Sequence, residues 1–312
     1  MSNTEATQEK SLLAPRYWGV WLAFGLLRLM SLLPFNWQMR LGRTLGRISY
    51  RLNRSRRRIA SRNLRLCFPD KNEDALQALV KSHFENLGIT IFEMAMAYYR
   101  PKRLHGRYTW HGIEHLDALT PGSVILLTAH FGPLEVGGTA LKQHGVIFDA
   151  VYRQDNNALM NQLIRRGREQ AGRTAIEKSD IKMMVRSLRD DVPVWYAPDQ
   201  SYRRKQSGLL PFFGVPAMTN TATSALARLG RAHVVGFFPH RKADLSGYDI
   251  YVHPPLDDFP GENAEVDTAR ITSLFEAEIL RSPAQYYWVH RKFKGRPAHL
   301  PDVYADLSDE DN

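Results

Sequence analysis

Short runs of consecutive apolar residues alternate with helical patterns over most of this chain, and no other feature restricts its fold as much. Val124–Ala129 (VILLTA) and Val192–Ala197 (VPVWYA) have the composition of strands buried on both faces. Helical patterns follow at Pro133–His144 and Ala158–Gln170. Such alternation favours α/β architectures. We therefore predict an α/β fold in which a sheet is covered by helices.

The same patterns predict the remaining elements within one large domain, for which 312 residues are sufficient. The further predicted strands are Phe148–Tyr152, His233–Phe238 and Asp249–His253. The further predicted helices are Leu76–Tyr98, Asp180–Arg189, Thr219–Leu229 and Glu265–Leu280. A single cysteine, Cys67, excludes an internal disulfide and a zinc cluster, and its place in the sequence favours packing over nucleophilic chemistry.

An apolar N-terminal segment precedes this domain and predicts contact with a membrane. Tyr17–Leu33 carries one charge, Arg28, and would extend about 25 Å as a helix before Pro34 ends it. We predict a membrane anchor over residues 1–39 with a spanning helix, while an interfacial helix and a buried soluble helix remain open. The residues before it lack the basic start of a secretory signal, and no small-residue cleavage site follows it.

The charge of the chain is concentrated directly after this segment. Ten arginines, with no lysine and no acidic residue, lie between Arg40 and Arg65, and the remaining 32 basic residues equal the 32 acidic ones. Their spacing of three or four predicts a basic amphipathic helix over residues 40–65 that binds anionic lipid headgroups. A solvated helix face is the alternative. Nucleic-acid binding is disfavoured because aromatic residues are not interleaved with the arginines.

The segment Thr128–Glu135 (TAHFGPLE) is the strongest candidate for chemistry. His130 follows a buried strand, where ligand sites of α/β sheets gather, and Glu135 falls in the first turn of the next helix. A histidine oriented by a carboxylate can take the proton of an attacking hydroxyl. The structural alternative is a histidine that satisfies a strand end and a glutamate that favours the helix dipole. No G-x-S-x-G, G-x-x-x-x-G-K-[ST] or H-E-x-x-H motif supports a rival chemistry.

Nearly the whole chain resembles the late acyltransferases of lipid A biosynthesis, within the lysophospholipid acyltransferase superfamily. The family's H-x4-[DE] motif is matched by His130–Glu135. The other matching segments are Pro15–Trp18, Asn63–Pro69, Val151–Asn157, Arg166–Arg168, Trp195–Asp199, Pro211–Pro216 and Gln285–Lys294. Two departures, Gly132-Pro133 and Asn157-Ala158, lie near the motif and remove no catalytic group.

This resemblance implies a function and its partners. The donor would be an acyl carrier protein thioester, and the acceptor a hydroxyl of a lipid A precursor. The reaction would take place on the cytoplasmic side of the inner membrane without a metal or bound cofactor. Residues 66–312 would then form the acyltransferase domain. Acylation of another membrane lipid (a glycerophospholipid, an inositol mannoside or another glycolipid) is the nearest alternative, and a non-catalytic membrane adaptor is a third.

The resemblance also suggests roles for residues outside the motif. Arg153 and Arg168 are expected to bind phosphate of the acceptor or the donor, because guanidinium groups bind phosphate bidentately. Asp199 is expected to position an acceptor hydroxyl or to hold one of these arginines. Surface positions for the arginines and a turn-forming role for Asp199 stay open. Leu209–Val215 would line an acyl pocket or pack in the core, and Arg291 and Lys292 would face headgroups or solvent.

Overall fold

A seven-stranded sheet forms the centre of the computed structural model, which describes residues 12–307. The first eleven residues of the predicted anchor and the last five of the predicted acyltransferase domain lie outside that range. The nine strands are β1 (Tyr108–His111), β2 (Val124–Leu127), β3 (Asp149–Tyr152), β4 (Ala175–Glu177), β5 (Val194–Tyr196), β6 (Ser207–Phe212), β7 (Val215–Asn220), β8 (His233–Arg241) and β9 (Tyr248–Pro255).

Ten α-helices surround the sheet in the described range. They are α1 (Trp18–Met30), α2 (Phe35–Leu52), α3 (Arg54–Cys67), α4 (Glu73–Tyr99), α5 (Glu114–Asp117), α6 (Leu134–His144), α7 (Ala158–Ala171), α8 (Ile181–Arg189), α9 (Ala222–Gly230) and α10 (Ala264–Arg281). Short 3-10 helices cover Pro15–Tyr17, Pro101–Leu104 and Pro283–Gln285.

The order of the strands places β2 and β5 side by side in the middle of the sheet. The order is β1-β9-β8-β2-β5-β3-β4, and all neighbours are parallel except the antiparallel pair β8 and β9. All four residues of β2 and all three of β5 are buried, because helices cover both faces. The carboxyl ends of β2, β5, β3 and β4 therefore meet at one edge.

The α/β fold with a helix-covered sheet is confirmed, and most predicted elements match within a few residues. Strands β2, β3, β5, β8 and β9 and helices α4, α6, α7, α8, α9 and α10 were all predicted. The short edge strands β1 and β4 were not predicted, nor was the separate antiparallel hairpin of β6 and β7. Leu209–Val215 belongs to this hairpin, and Phe212 within it is 1% exposed in the main core. That burial favours core packing for the segment.

The N-terminal apolar segment forms a shorter helix than predicted. Helix α1 has 13 residues, about 20 Å at ~1.5 Å per residue. Where it ends, Arg103 donates to the carbonyl oxygens of Leu32 and Leu33, and Gln38 donates to that of Leu33 at 2.8 Å, which fixes the bend before α2. Within residues 12–307, no helix combines the length and the apolar character needed to cross a bilayer. The predicted spanning helix is therefore not found.

The arginine-rich stretch forms two helices rather than one. Asn53 ends α2 and caps α3, since its side chain accepts from the Arg56 N–H at 3.0 Å. Helix α2 packs backbone to backbone on α4 at glycines. A Cβ on Gly46 would lie 2.2 Å from the carbonyl oxygen of Phe84. On α3, the buried Asn63 donates to the carbonyl oxygens of Trp288 and His290 at 2.7 and 2.8 Å. Both basic helices thus pack directly on the α/β domain.

Candidate active site

The loop after β2 carries His130 to the carboxyl edge of the sheet. Backbone hydrogen bonds hold this loop from two sides. Thr128 N–H donates to the carbonyl oxygen of Tyr196 at 2.9 Å, and the carbonyl oxygen of His130 accepts from Tyr287 N–H at 3.0 Å. Gly132 N–H donates to the carbonyl oxygen of Gln285 at 2.8 Å. Because these hydrogen bonds join the loop to β5 and to the chain after α10, they fix the backbone that carries the His130 side chain.

Asp199 is the carboxylate that orients His130. Oδ1 of Asp199 lies 2.5 Å from Nδ1 of His130, and Oδ2 accepts from the His130 backbone N–H at 3.2 Å. Asp199 is 2% exposed and follows β5, whose carboxyl end is adjacent to that of β2. Burial alone would raise the pKa of Asp199, but the charge and hydrogen bond of His130 hold it at about 2. The carboxylate therefore stays ionised. Because Nδ1 of His130 is bonded to Asp199, Nε2 is the ring nitrogen available to a ligand in the cleft.

This geometry corrects the pairing predicted from the H-x4-E spacing. Glu135 does not bond to His130. Its Oε1 accepts from Nε and Nη2 of Arg168 at 3.1 and 3.0 Å. Helix α6 turns the Glu135 side chain towards α7, which packs alongside and carries Arg168. The carboxylate at the imidazole is therefore that of Asp199, in the loop after the neighbouring strand β5, and not that of Glu135, which is close to His130 in sequence.

The guanidinium of Arg168 is hydrogen-bonded to other residues of the protein, whereas the sequence predicted that it would bind phosphate. Besides Glu135, its guanidinium donates from Nη1 to the carbonyl oxygen of Val151 at 3.0 Å. Burial would lower the pKa of Arg168, but the charge of Glu135 raises it, so the side chain stays cationic. The Tyr98 ring fits against α7 because position 167 is glycine, where an added Cβ would lie 2.5 Å from the ring. Glu135 and Arg168 therefore join α6, α7 and β3.

Arg153 lies where the sequence predicted, at the carboxyl end of β3. It is exposed and lines the same cleft as His130. Within residues 12–307 no carboxylate pairs with it. Of the three predicted substrate-binding residues, Arg153 is therefore available to a ligand. Asp199 is instead hydrogen-bonded to His130, and Arg168 to Glu135.

Three residues beside His130 were not predicted to belong to the site. Lys292, predicted to be at the surface, is 4% exposed and donates from Nζ to the carbonyl oxygen of Asp199 at 2.6 Å. Burial lowers the pKa of Lys292 to about 8, although Asp199 opposes the shift. Nε2 of His290 lies 3.2 Å from Oγ of Ser201, and burial lowers the pKa of His290 to about 4, so it is neutral near pH 7. For Lys292 and His290 the signal in the sequence was the resemblance motif Gln285–Lys294, which does not include Ser201.

A cleft of about 480 Å³ opens in front of His130. One part of its wall is apolar, and its mouth carries basic side chains. The apolar residues include Leu134, Val151, Ile164, Ile181, Trp195, Ala197, Pro198 and Ala222. A partly exposed histidine held by a carboxylate, an apolar wall and a cationic mouth would suit transfer of an acyl chain to the hydroxyl of an anionic acceptor.

Comparisons with known proteins agree with this chemistry. The family model "Bacterial lipid A biosynthesis acyltransferase" matches residues 5–295. The lipid A biosynthesis lauroyltransferase of Escherichia coli (strain K12) is 36% identical over 300 residues, covering 94% of this chain and 97% of that protein. The palmitoleoyltransferase of the same strain is 33% identical over 301 residues, covering 95% and 97%.

A solved 1-acyl-sn-glycerophosphate acyltransferase from Thermotoga maritima is a distant structural neighbour, with a TM-score of 0.39 and 9% sequence identity. The superposition covers 74% of this chain and 98% of that chain. The family match covers most of the sequence, and the two relatives match it over nearly their full lengths. The chain therefore belongs to the bacterial lipid A biosynthesis acyltransferase family and is an acyltransferase.

Proposed function

We propose that this protein transfers a fatty acyl group from an acyl carrier protein thioester to a hydroxyl of a lipid A precursor. The observation that carries the proposal is the contact of 2.5 Å between His130 and the buried Asp199 at the edge of the cleft. Family membership supports the acceptor class. The carrier-protein donor rests on the resemblance in sequence.

The proposed reaction is a single displacement in which His130 acts as general base. Nε2 of His130 accepts the proton of the acceptor hydroxyl while the oxygen attacks the thioester carbonyl carbon. Asp199 stabilises the imidazolium and fixes the tautomer that leaves Nε2 unprotonated beforehand. Collapse of the tetrahedral intermediate forms the ester, breaks the carbon–sulfur bond and releases the thiolate, which takes the proton back from His130. A base of this kind contributes a factor of about 10²–10⁴ in rate.

Glu135 keeps a place in the proposal as a positioning residue. Its carboxylate holds Arg168, which in turn donates to the carbonyl oxygen of Val151 in β3. Val151 and Arg168 both line the cleft. Loss of Glu135 would therefore alter the cleft wall without removing the base. Arg153 at the mouth is proposed to contact substrate phosphate directly.

Helix α1 is proposed to lie on the membrane surface as an interfacial helix, the alternative to a spanning helix that the sequence left open. Its outer face presents a stripe at helical spacing: Trp18, Leu22, Leu26 and Leu29 are 64%, 75%, 51% and 64% exposed. A contiguous exposed apolar stripe on a helix is typical of an interfacial anchor. The protein would then work at the cytoplasmic face of the inner membrane, where a carrier-protein donor is available.

The arginines of α2 and α3 are proposed to attract anionic partners. Exposed arginines such as Arg51 and Arg54 lie at the junction of the two helices. Arg56 beside them donates to the carbonyl oxygen of Val289, close to the segment that carries Lys294 into the cleft. The positive potential therefore extends to the cleft, where it favours approach of an acidic carrier protein and anionic lipid headgroups.

Product analysis tests the proposed function. The purified protein is incubated with a defined lipid A precursor and carrier-protein thioesters of several acyl lengths, and the lipids are examined by mass spectrometry. We expect the precursor to gain one acyl group as an ester, with a preference for certain chain lengths. A glycerophospholipid and an unrelated glycolipid serve as control acceptors. Acylation of a control acceptor in place of the precursor would establish the alternative acceptor class and refute the proposal.

A further inference from the structure

Four cationic side chains from separate segments meet at the mouth of the cleft. Arg153 follows β3, Lys178 follows β4, and the two strands are adjacent and parallel, with Lys178 N–H donating to the carbonyl oxygen of Tyr152 at 2.8 Å. Arg204 comes from the loop after β5, and Lys294 from the segment after α10. We call these four residues the rim cluster. All four are exposed and line the cleft together with His130.

The rim cluster has no anionic partner in the part of the chain that the structure describes. The residues lining the cleft there include no aspartate or glutamate. Neighbouring arginines are paired, as Arg168 is with Glu135 and Arg173 with Asp149. Glu177 offsets part of the positive charge at Lys178, and its carboxylate accepts from Oγ of Ser179 at 2.8 Å. The cluster therefore differs from an ordinary surface, where opposite charges are interspersed.

The members of the rim cluster repel one another. The pKa of Lys178 is lowered by burial and then by the positive charges of Arg153 and Arg204. The pKa of Lys294 is lowered by burial and by neighbouring arginines, Arg153 among them. Like charges brought together without a counter-ion cost free energy, and a bound anion removes that cost. Arrangements that are unfavourable when empty are typical of ligand sites.

The number of charges distinguishes two phosphate ligands. The phosphodiester in a carrier protein's pantetheine arm has one negative charge, whereas a phosphate monoester carries about −1.5 to −2 at neutral pH and offers three acceptor oxygens. Arginines bind such oxygens bidentately, and lysines act as point charges. Four unpaired cations match the monoester better than the diester.

We propose that the rim cluster binds a phosphate monoester of the acceptor and so selects phosphorylated acceptor lipids. This inference rests on the proposed function, because the same cleft must present the acceptor hydroxyl to His130. The apolar wall of the cleft then receives the acyl chain while the mouth holds the phosphate. Specificity for the acceptor comes from charge at the mouth rather than from the catalytic pair.

The test compares Arg153→Gln and Lys178→Gln with wild type, using Lys205→Gln as the matched control. Lys205 is an exposed cation one residue beyond Arg204 and does not line the cleft. Equilibrium binding is measured for a phosphorylated lipid A precursor and for the same lipid after phosphatase treatment. We expect each rim variant to weaken binding of the phosphorylated lipid about tenfold. Binding of the dephosphorylated lipid should not change, and the control should match wild type for both lipids.

Thermal unfolding and donor kinetics supply the other readouts. Since the substitutions relieve repulsion, we expect Arg153→Gln and Lys178→Gln to unfold at the wild-type temperature or above it. Lower unfolding temperatures with equal losses for both lipids would overturn the proposal in favour of a structural role. A raised KM for the carrier-protein donor with unchanged acceptor binding would overturn it in favour of the phosphodiester. Unchanged binding of both lipids would overturn it outright.

Binding and catalysis can fail separately in this design. If wild type binds the phosphorylated precursor through the rim cluster but forms no acylated product, the proposed function is refuted and the phosphate site is supported. If the product forms at equal rates from phosphorylated and dephosphorylated acceptors in every variant, the function is supported and the phosphate site is refuted.

Discussion

Replacing Glu135 with glutamine tests whether this carboxylate acts on Arg168 or on His130. In the structure, Oε1 of Glu135 accepts two hydrogen bonds from Arg168, at 3.0 and 3.1 Å, and the two side chains are only 15% and 16% exposed. Removing one partner of a buried ion pair costs about 3–5 kcal/mol, because the remaining charge is left unpaired. We expect a loss of about 3 kcal/mol, near the lower limit, since the carbonyl oxygen of Val151 still accepts from Arg168.

Denaturant unfolding in detergent measures this loss, and steady-state kinetics accompany it. The double variant Glu135→Gln/Arg168→Met should regain much of the stability, because no unpaired charge remains. The shape of the pH–rate profile should be that of wild type, since His130 keeps Asp199. A positioning role through Arg168 is excluded if Glu135→Gln is as stable as wild type and yet loses turnover by the factor of about 10²–10⁴ typical of a disabled base. That result would place Glu135 on the imidazole.

Three further expectations follow from the site and the surface. Asp199→Asn should lower kcat by about 10²–10⁴. Because the pKa of this carboxyl is depressed from 3.8 to about 2, wild type should lose about 2 kcal/mol more stability than Asp199→Asn as pH falls from about 4 to 2, measured by unfolding both proteins at a series of pH values. Arg51→Gln/Arg54→Gln should slow transfer at low salt and make the rate less dependent on salt, because electrostatic attraction of the acidic carrier protein is screened beyond ~10 Å at about 0.1 M. If the rates of variant and wild type change with salt in parallel, these arginines do not steer the donor. Leu22→Ser/Leu26→Ser should reduce the fraction of protein that sediments with anionic vesicles. An unchanged fraction would show that α1 does not bind the membrane surface.

The sequence was a good guide to the fold because its strongest signals are local. The four apolar residues of β2 and the amphipathic patterns of the helices each need only a short window to recognise. The elements that were missed depend on tertiary contacts. β4 has three residues and is a strand because it pairs with β3, and the β6–β7 hairpin includes Pro211 and Pro216, which weaken a strand pattern.

The partner of the proposed catalytic histidine was less predictable than the histidine itself. Spacing along the chain indicated Glu135, five residues from His130, whereas Asp199 is 69 residues away. Only the adjacency of β2 and β5 brings that carboxylate to the imidazole. Sequence patterns that predict strands do not give their order in the sheet, so His130 was identified without its partner.

Lys292 and the N-terminal segment were misread for a related reason. The run His290-Arg-Lys292 looks solvated, but its lysine points inward and binds the backbone of Asp199. In the N-terminal segment, apolar composition over Tyr17–Leu33 indicated one long helix. Contacts of Arg103 and Gln38 with the chain at Leu32 and Leu33 instead stabilise a bend after Met30. Neither effect is visible without the residues that pack from elsewhere in the chain.

The rate of product formation by His130→Ala shows whether His130 is the general base. Purified wild type and variant are given the same carrier-protein thioester and lipid A precursor, and the acylated lipid is quantified by mass spectrometry over time. Circular dichroism and denaturant unfolding establish that the variant is folded. We expect the folded variant to form the ester about 10²–10⁴ times more slowly than wild type, because it lacks the base that takes the hydroxyl proton. Turnover near the wild-type rate in a folded His130→Ala protein would exclude His130 as the base.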